Sequence, residues 1–201
     1  MPKFTEQKFN IPELKGISKK NIEEHLKLYA GYVKHANLIL EKIPEYEGYV
    51  KNDPSAAYTL TLLQRRFSFE FCGMTNHEYY FESFIGGAKT LSEKSDLRKA
   101  ISNEWGSFDA WLNRFKATTL TRGVGWATLY FDQITKRLLN GWVDEQHLGH
   151  LVGAKPILMI DMWEHAFVVD YQPSGKKQYV EDFFSNLNWE VIEENFKKAT
   201  G

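Results

Sequence analysis

The sequence predicts an α+β fold, with helices first, strands second and helices again at the end. Three observations carry that prediction. Two long stretches between residues 17 and 84 repeat apolar residues at helical spacing. The texture then changes to short aliphatic and aromatic runs joined by turns, as in "WATLYFD", "RLLNGWV" and "PILMIDMW". The three runs lie together instead of alternating with helices, which argues against a wound parallel sheet.

Taken in order, residues 1–16 read as extended, with Pro2, Pro12 and Gly16. Residues 17–43 are helical, with Ser18 as a natural N-cap. Ile22, His25, Leu28, Tyr29, Tyr32 and Val33 fall near one face, continued by Leu38, Ile39 and Ile43. Residues 44–56, opening on Pro44, read as a connection. A second helix over about 57–84 carries Leu60, Leu63, Phe67, Phe71, Met74, His77 and Phe81, and "GGAKT" breaks it. Shorter helices follow near 92–104, beginning at Ser92, and 107–121, beginning at Ser107. The three apolar runs read as strands, and "YVEDFFSNLN" and "WEVIEENFKKA" as closing helices. A boundary near 86–90 divides a helical hairpin lobe (1–86) from a mixed α/β lobe (87–201).

With 25 basic and 26 acidic residues the net charge is −1, which excludes strong non-specific attraction to nucleic acid or an anionic membrane. Near-zero charge also favours self-association. The single cysteine, Cys72, permits no intrachain disulfide; in "FEFCGM" it reads as an inert buried thiol. No apolar run reaches the ~18 residues of a membrane span, and "MPKFTEQKF" lacks a signal-peptide core. A soluble cytoplasmic protein is expected.

The chemistry concentrates in "DMWEHAF" (161–167), where two carboxylates and a histidine sit in an apolar run. Burial of such charges costs several kcal/mol, roughly, unless they are paired or bind a metal. Asp161 and His165 are four apart and share a face in helix or strand. His25 and His77 lie on the apolar faces of the two long helices. Either alone is an ordinary core histidine; antiparallel packing would bring both into one interior. Three imidazoles and one carboxylate suit iron, manganese or zinc. An iron or manganese ion in that set could cycle between +2 and +3.

These segments resemble the iron/manganese superoxide dismutases. "DMWEHAF" is similar to that family's signature, "NHEYYF" (76–81) to its second-helix histidine segment, and "ISKKNIEEH" to the run leading to its first histidine ligand. "YVKHAN", "GVGWATLYFD" and "LNWE" follow in the family's order. The resemblance implies His25, His77, Asp161 and His165 as ligands to one iron or manganese ion, with a solvent molecule as fifth. It implies dismutation of superoxide to O2 and hydrogen peroxide, a three-stranded antiparallel sheet, and a homo-oligomer, dimer or tetramer. Tyr32 matches the family's gateway tyrosine, Trp126 and Trp163 its pocket walls, and Glu164 a residue that bridges to the partner subunit. Gln146 matches the glutamine beside the bound solvent when Asp161 is counted back without gaps; a one-residue deletion would place His147 there.

Three departures stand out. Tyr32 follows His25 by seven residues where eight is usual, which leaves room for a non-catalytic relative of the same fold. Leu28 and Val168 take the places of a polar pair that meets across the family's dimer interface, unless Tyr29 takes the first place. The usual arginine near the entrance is missing, with Lys176 or Lys177 as its possible replacement. A fourth, conservative change is Phe81, which stands where tryptophan is common.

Overall fold

The computed structural model describes residues 2–201. Two long helices, α1 (Lys19–Val50) and α2 (Ala56–Glu82), form an antiparallel hairpin. Ser18 caps α1, its hydroxyl accepting the Asn21 N–H at 3.1 Å. The buried stripe of α1 runs through Ile22, His25, Tyr29, Val33, Ala36 and Ile39. Those steps of three and four are what one helical face requires. Leu28, expected on that face, is rotated about 100° away from Tyr29 and is exposed.

The expected connection over 44–56 is shorter than the sequence suggested, because α1 continues through Pro44 to Val50 and only residues 51–55 link the helices. Proline removes one backbone donor and disfavours a helix interior. The turns beyond it are supported by side chains: Lys42 Nζ donates to Glu45 Oε2 at 2.7 Å and Tyr49 Oη to Glu45 Oε1 at 2.8 Å.

Two short helices follow, α3 (Asp96–Trp105) and α4 (Phe108–Thr119). Ser107 caps α4 as expected. For α3 the cap is Ser95, not Ser92: the Ser95 hydroxyl accepts the Arg98 N–H at 2.9 Å, while Ser92 closes a turn on Lys94 upstream. Both serines precede an acidic residue, so composition alone does not separate them.

Strands β1 (Gly125–Asp132), β2 (Arg137–Asp144) and β3 (Ala154–Asp161) form one antiparallel sheet in the order β2-β1-β3. The α+β class therefore holds, with an N-terminal helical region and a C-terminal α/β part around a three-stranded antiparallel sheet. Central β1 is buried over residues 125–131, which explains its unbroken apolar sequence. β3 ends at Asp161, two residues short of the run that predicts it. The register sets Trp126 directly opposite Asp161. Helices α5 (Lys176–Asn186) and α6 (Trp189–Thr200) close the chain.

An aromatic layer joins the hairpin to α5 and, where Tyr80 meets Trp126, to β1. The Tyr80 ring stacks on Phe183 at 5.6 Å and stands edge-on to Phe84. Asn21 Nδ2 donates to the Ala166 carbonyl at 3.0 Å, tying α1 to the segment after β3. Among the described residues, no helix is long and apolar enough to cross a membrane.

Candidate metal centre

His25 and His77 face each other from the buried stripes of α1 and α2, their ring centroids 4.9 Å apart. Asp161 ends β3. A short 3-10 turn over Glu164–Ala166 then brings His165 back onto it. Asp161 Oδ2 lies 3.1 Å from His25 Nε2, 3.0 Å from His165 Nε2 and 3.6 Å from His77 Nε2. One donor atom from each of the four residues lies within 4.8 Å of every other. Two ligand atoms at ~2.1 Å on opposite sides of one ion would be ~4.2 Å apart. The cluster is thus within a few tenths of an ångström of closing on a single ion.

The donor chemistry fits such an ion. His77 Nε2 is buried with no hydrogen-bond partner in the chain, and an unsatisfied acceptor of that kind costs about 1–3 kcal/mol unless something engages its lone pair. The opposite ring nitrogen, Nδ1, is held by the Gly73 carbonyl at 2.5 Å, which orients the ring from behind. Burial, reinforced by His25, depresses the His77 pKa to about 3. Burial also lowers that of His25. Both rings are then neutral near pH 7, the state that can ligate. For Asp161, burial pushes the carboxyl upward, but His165 and His25 outweigh it and hold the group below its usual range.

Asp161 is fixed on every side. Its Oδ1 accepts the Trp163 N–H at 2.8 Å, leaving Oδ2 toward the histidines. Its main-chain carbonyl accepts from Tyr179 Oη at 2.9 Å, and Tyr179 in turn meets Tyr80 Oη at 3.2 Å. Trp163 stacks on His165 with centroids 5.7 Å apart and donates Nε1–H to the Glu145 carbonyl at 3.1 Å.

A polar bridge crosses the His77 side of the cluster. Gln146, fully buried, donates Nε2–H to Tyr32 Oη at 3.0 Å and accepts Trp126 Nε1–H on Oε1 at 2.8 Å. The Tyr32 and Trp126 rings each lie within about 5 Å of His77, at 5.1 and 5.0 Å. Seven residues at ~100° each leave Tyr32 only ~20° from the direction of His25, so the shorter spacing still delivers it here. His147 does not join the bridge; its ring packs edge-on to Phe69, 5.6 Å away. Gly73 matters for close approach: an added Cβ would lie 2.6 Å from Tyr32 Cδ1. Tyr29 turns inward and donates to Glu78 Oε1 at 2.9 Å.

Glu164 is exposed and makes no ion pair among the described residues. Lys176 reaches the Thr121 carbonyl at 3.3 Å and lies over Trp142, while Lys177 is exposed. Cys72 is only half-buried, and that burial raises its pKa. Sequence reasoning missed Asn76, Tyr80, Tyr130, His150 and Tyr179 as supports. Asn76 sits beside a candidate ligand, which is the one signal that could have flagged it.

The arrangement defines a mononuclear metal site of the nitrogen–oxygen class, built jointly by a helical hairpin and an antiparallel sheet. The family model for iron/manganese superoxide dismutases, C-terminal domain, matches residues 93–195. The chain is 35% identical to an iron superoxide dismutase of Aquifex aeolicus (strain VF5) over 92% of its length and 87% of that protein's. It is 34% identical to a manganese superoxide dismutase of Nocardia asteroides over 87% of its length and 82% of that protein's. The chain belongs to the iron/manganese superoxide dismutase family.

Proposed function

We propose that this chain catalyses the dismutation of superoxide to O2 and hydrogen peroxide, with one iron or manganese ion held by His25, His77, Asp161 and His165. The buried cluster of three imidazoles and one carboxylate carries the reading. When bound, the ion supplies a one-electron couple between the +2 and +3 states. The residues around it provide what that couple lacks. Neutral His25 and His77 and an ionised Asp161 offer lone pairs without competing protons.

Peroxide formation also needs two protons in a largely dry pocket. Burial, reinforced by the Asp161 charge, raises the Tyr32 pKa well above the usual phenol value, so its hydroxyl keeps its proton. Tyr32 and Gln146 then form the hydrogen-bonded path by which protons approach. Trp126 holds the Gln146 oxygen and so directs the amide nitrogen toward Tyr32. Trp163 walls the His165 side.

On the same reading residues 1–86 and 87–201 are two lobes that each give two ligands. A second copy of the chain covers the side where His165 keeps 23% side-chain exposure. Exposed Leu28, Val168 and Val169 and the unpaired Glu164 support that view, with Leu28 meeting Val168 across the interface. Sedimentation of the metal-loaded protein tests it; a monomer at micromolar concentration rules it out.

The activity is tested by loading the protein separately with iron, manganese and zinc, then measuring bound metal and superoxide consumption together. Turnover with iron or manganese, and none with zinc, is expected. Stoichiometric binding of all three without superoxide consumption would refute the proposal.

A further inference from the structure

On the reading that this is a superoxide dismutase centre, we propose that His150, oriented by Tyr130, is a positioning residue that fixes the main chain of Gln146. His150 Nε2 lies 3.3 Å from the Gln146 carbonyl oxygen, and His150 Nδ1 lies 2.8 Å from Tyr130 Oη. A carbonyl oxygen can only accept, so Nε2 carries the ring proton and donates it. Nδ1 is then bare and accepts the Tyr130 O–H. The neutral imidazole satisfies both contacts in this one tautomer. Burial lowers the His150 pKa, which keeps the ring neutral near pH 7.

The need for such a brace comes from the local backbone. Gln146 follows Glu145, which sits in the left-handed region at φ 51°, a conformation side-chain-bearing residues adopt reluctantly. The loop after β2 therefore has to be held from outside. Asn76 Nδ2, next to His77 on α2, donates to the same Gln146 carbonyl at 2.9 Å. His150 supplies the second donor. The two lone pairs of that oxygen are thus both engaged, one by the helical hairpin and one by the loop.

Strand β1 acts twice in this arrangement. Trp126 and Tyr130 are four apart and share a face. Trp126 holds the Gln146 side chain, while Tyr130 holds the residue that holds its main chain. Room for the Tyr130 ring comes from Gly141 on β2, where an added Cβ would lie 3.0 Å from Tyr130 Cε2. The carboxamide that bridges Tyr32 and Trp126 is consequently placed by interactions reaching one residue further out than the bridge itself.

The test compares metal-loaded parent, His150→Leu, His150→Gln and Tyr130→Phe for bound metal, midpoint potential, kcat, KM and unfolding temperature. His150→Leu is expected to retain its ion and its KM but to lose about tenfold in kcat. Its midpoint potential is expected to move by a tenfold change in the oxidised-to-reduced balance, about 59 mV for a one-electron couple. His150→Gln, which keeps a donor for the Gln146 carbonyl, should return most of that shift. A His150→Leu protein with the parent's potential and kcat, and only a lower unfolding temperature, would overturn the proposal. Should that variant not fold, Tyr130→Phe decides in its place: a potential equal to the parent's overturns it. A parent that binds metal but consumes no superoxide would sink the assignment of the site itself, a different result from an active parent with an indifferent His150.

Discussion

Gly73 offers the sharpest single-residue test of how the site is packed. In the interior of α2, Gly73→Ala should gain about 0.8–1 kcal/mol from helix propensity. Against that, the new Cβ would lie 2.6, 2.8 and 2.9 Å from Tyr32 Cδ1, Cε1 and Cγ. The ring cannot simply swing aside, because its hydroxyl is bonded to Gln146. Overpacking of this kind costs about 1–3 kcal/mol. The net effect in the parent is then between neutral and about 2 kcal/mol of destabilisation. With Tyr32→Ala already in place the clash is gone, and the same substitution should stabilise by about 1 kcal/mol. The predicted coupling is therefore about 1–3 kcal/mol, within the range expected for residues in contact. For a chain of this length 2 kcal/mol corresponds to roughly 5 °C in unfolding temperature. A four-protein thermal unfolding cycle measures it. Equal stabilisation by Gly73→Ala in both backgrounds would show that Tyr32 does not press on position 73.

Three further outcomes are expected. His77→Ala removes one of the four proposed ligands, so metal content and superoxide consumption should both fall to background; retention of either in elemental analysis and assay would defeat the ligand assignment. The metal-free protein should lose stability on acidification. His77 is depressed to about 3 in the folded chain against ~6.5 unfolded, so below 6.5 the unfolded chain binds a proton the folded one refuses, costing about 3 kcal/mol between pH 6.5 and 4.5; denaturant midpoints that stay level over that window would contradict it. Pro44→Ala should raise the unfolding temperature, by no more than the ~3 kcal/mol that separates proline from alanine in a helix interior, and a lowered temperature would mean that Pro44 shapes α1 favourably.

Much of the site was legible because its residues obey simple periods. His25 and His77 declare their faces through helical spacing, and Asp161 and His165 through their spacing of four. Trp126 sits at the start of an apolar strand. Gln146 and His147 were not separable in the same way, because a loop has no period and its length is free to vary. Only the three-dimensional contacts separate them: the Gln146 carboxamide bonds Trp126 and Tyr32, while the His147 ring packs on Phe69. Pro44 misled for a related reason: its local preference is to end a helix, yet α1 continues past it, with Lys42 and Tyr49 both bonded to the next residue, Glu45. Leu28 shows the opposite limit. An apolar residue near the edge of a stripe is placed by a rotation of about 100°, and composition does not say on which side of the boundary it falls.

The order in which the four clustered residues appear along the chain has a consequence for biosynthesis. His25 and His77 leave the ribosome early, as part of a helical hairpin that local contacts can form. Asp161 and His165 emerge only when most of the polypeptide has been made, at the end of a strand that needs β1 already in place. The four donors cannot converge before then, so on the proposed reading the ion is captured only after β3 has formed. Once captured, it would staple the beginning of the fold to its end.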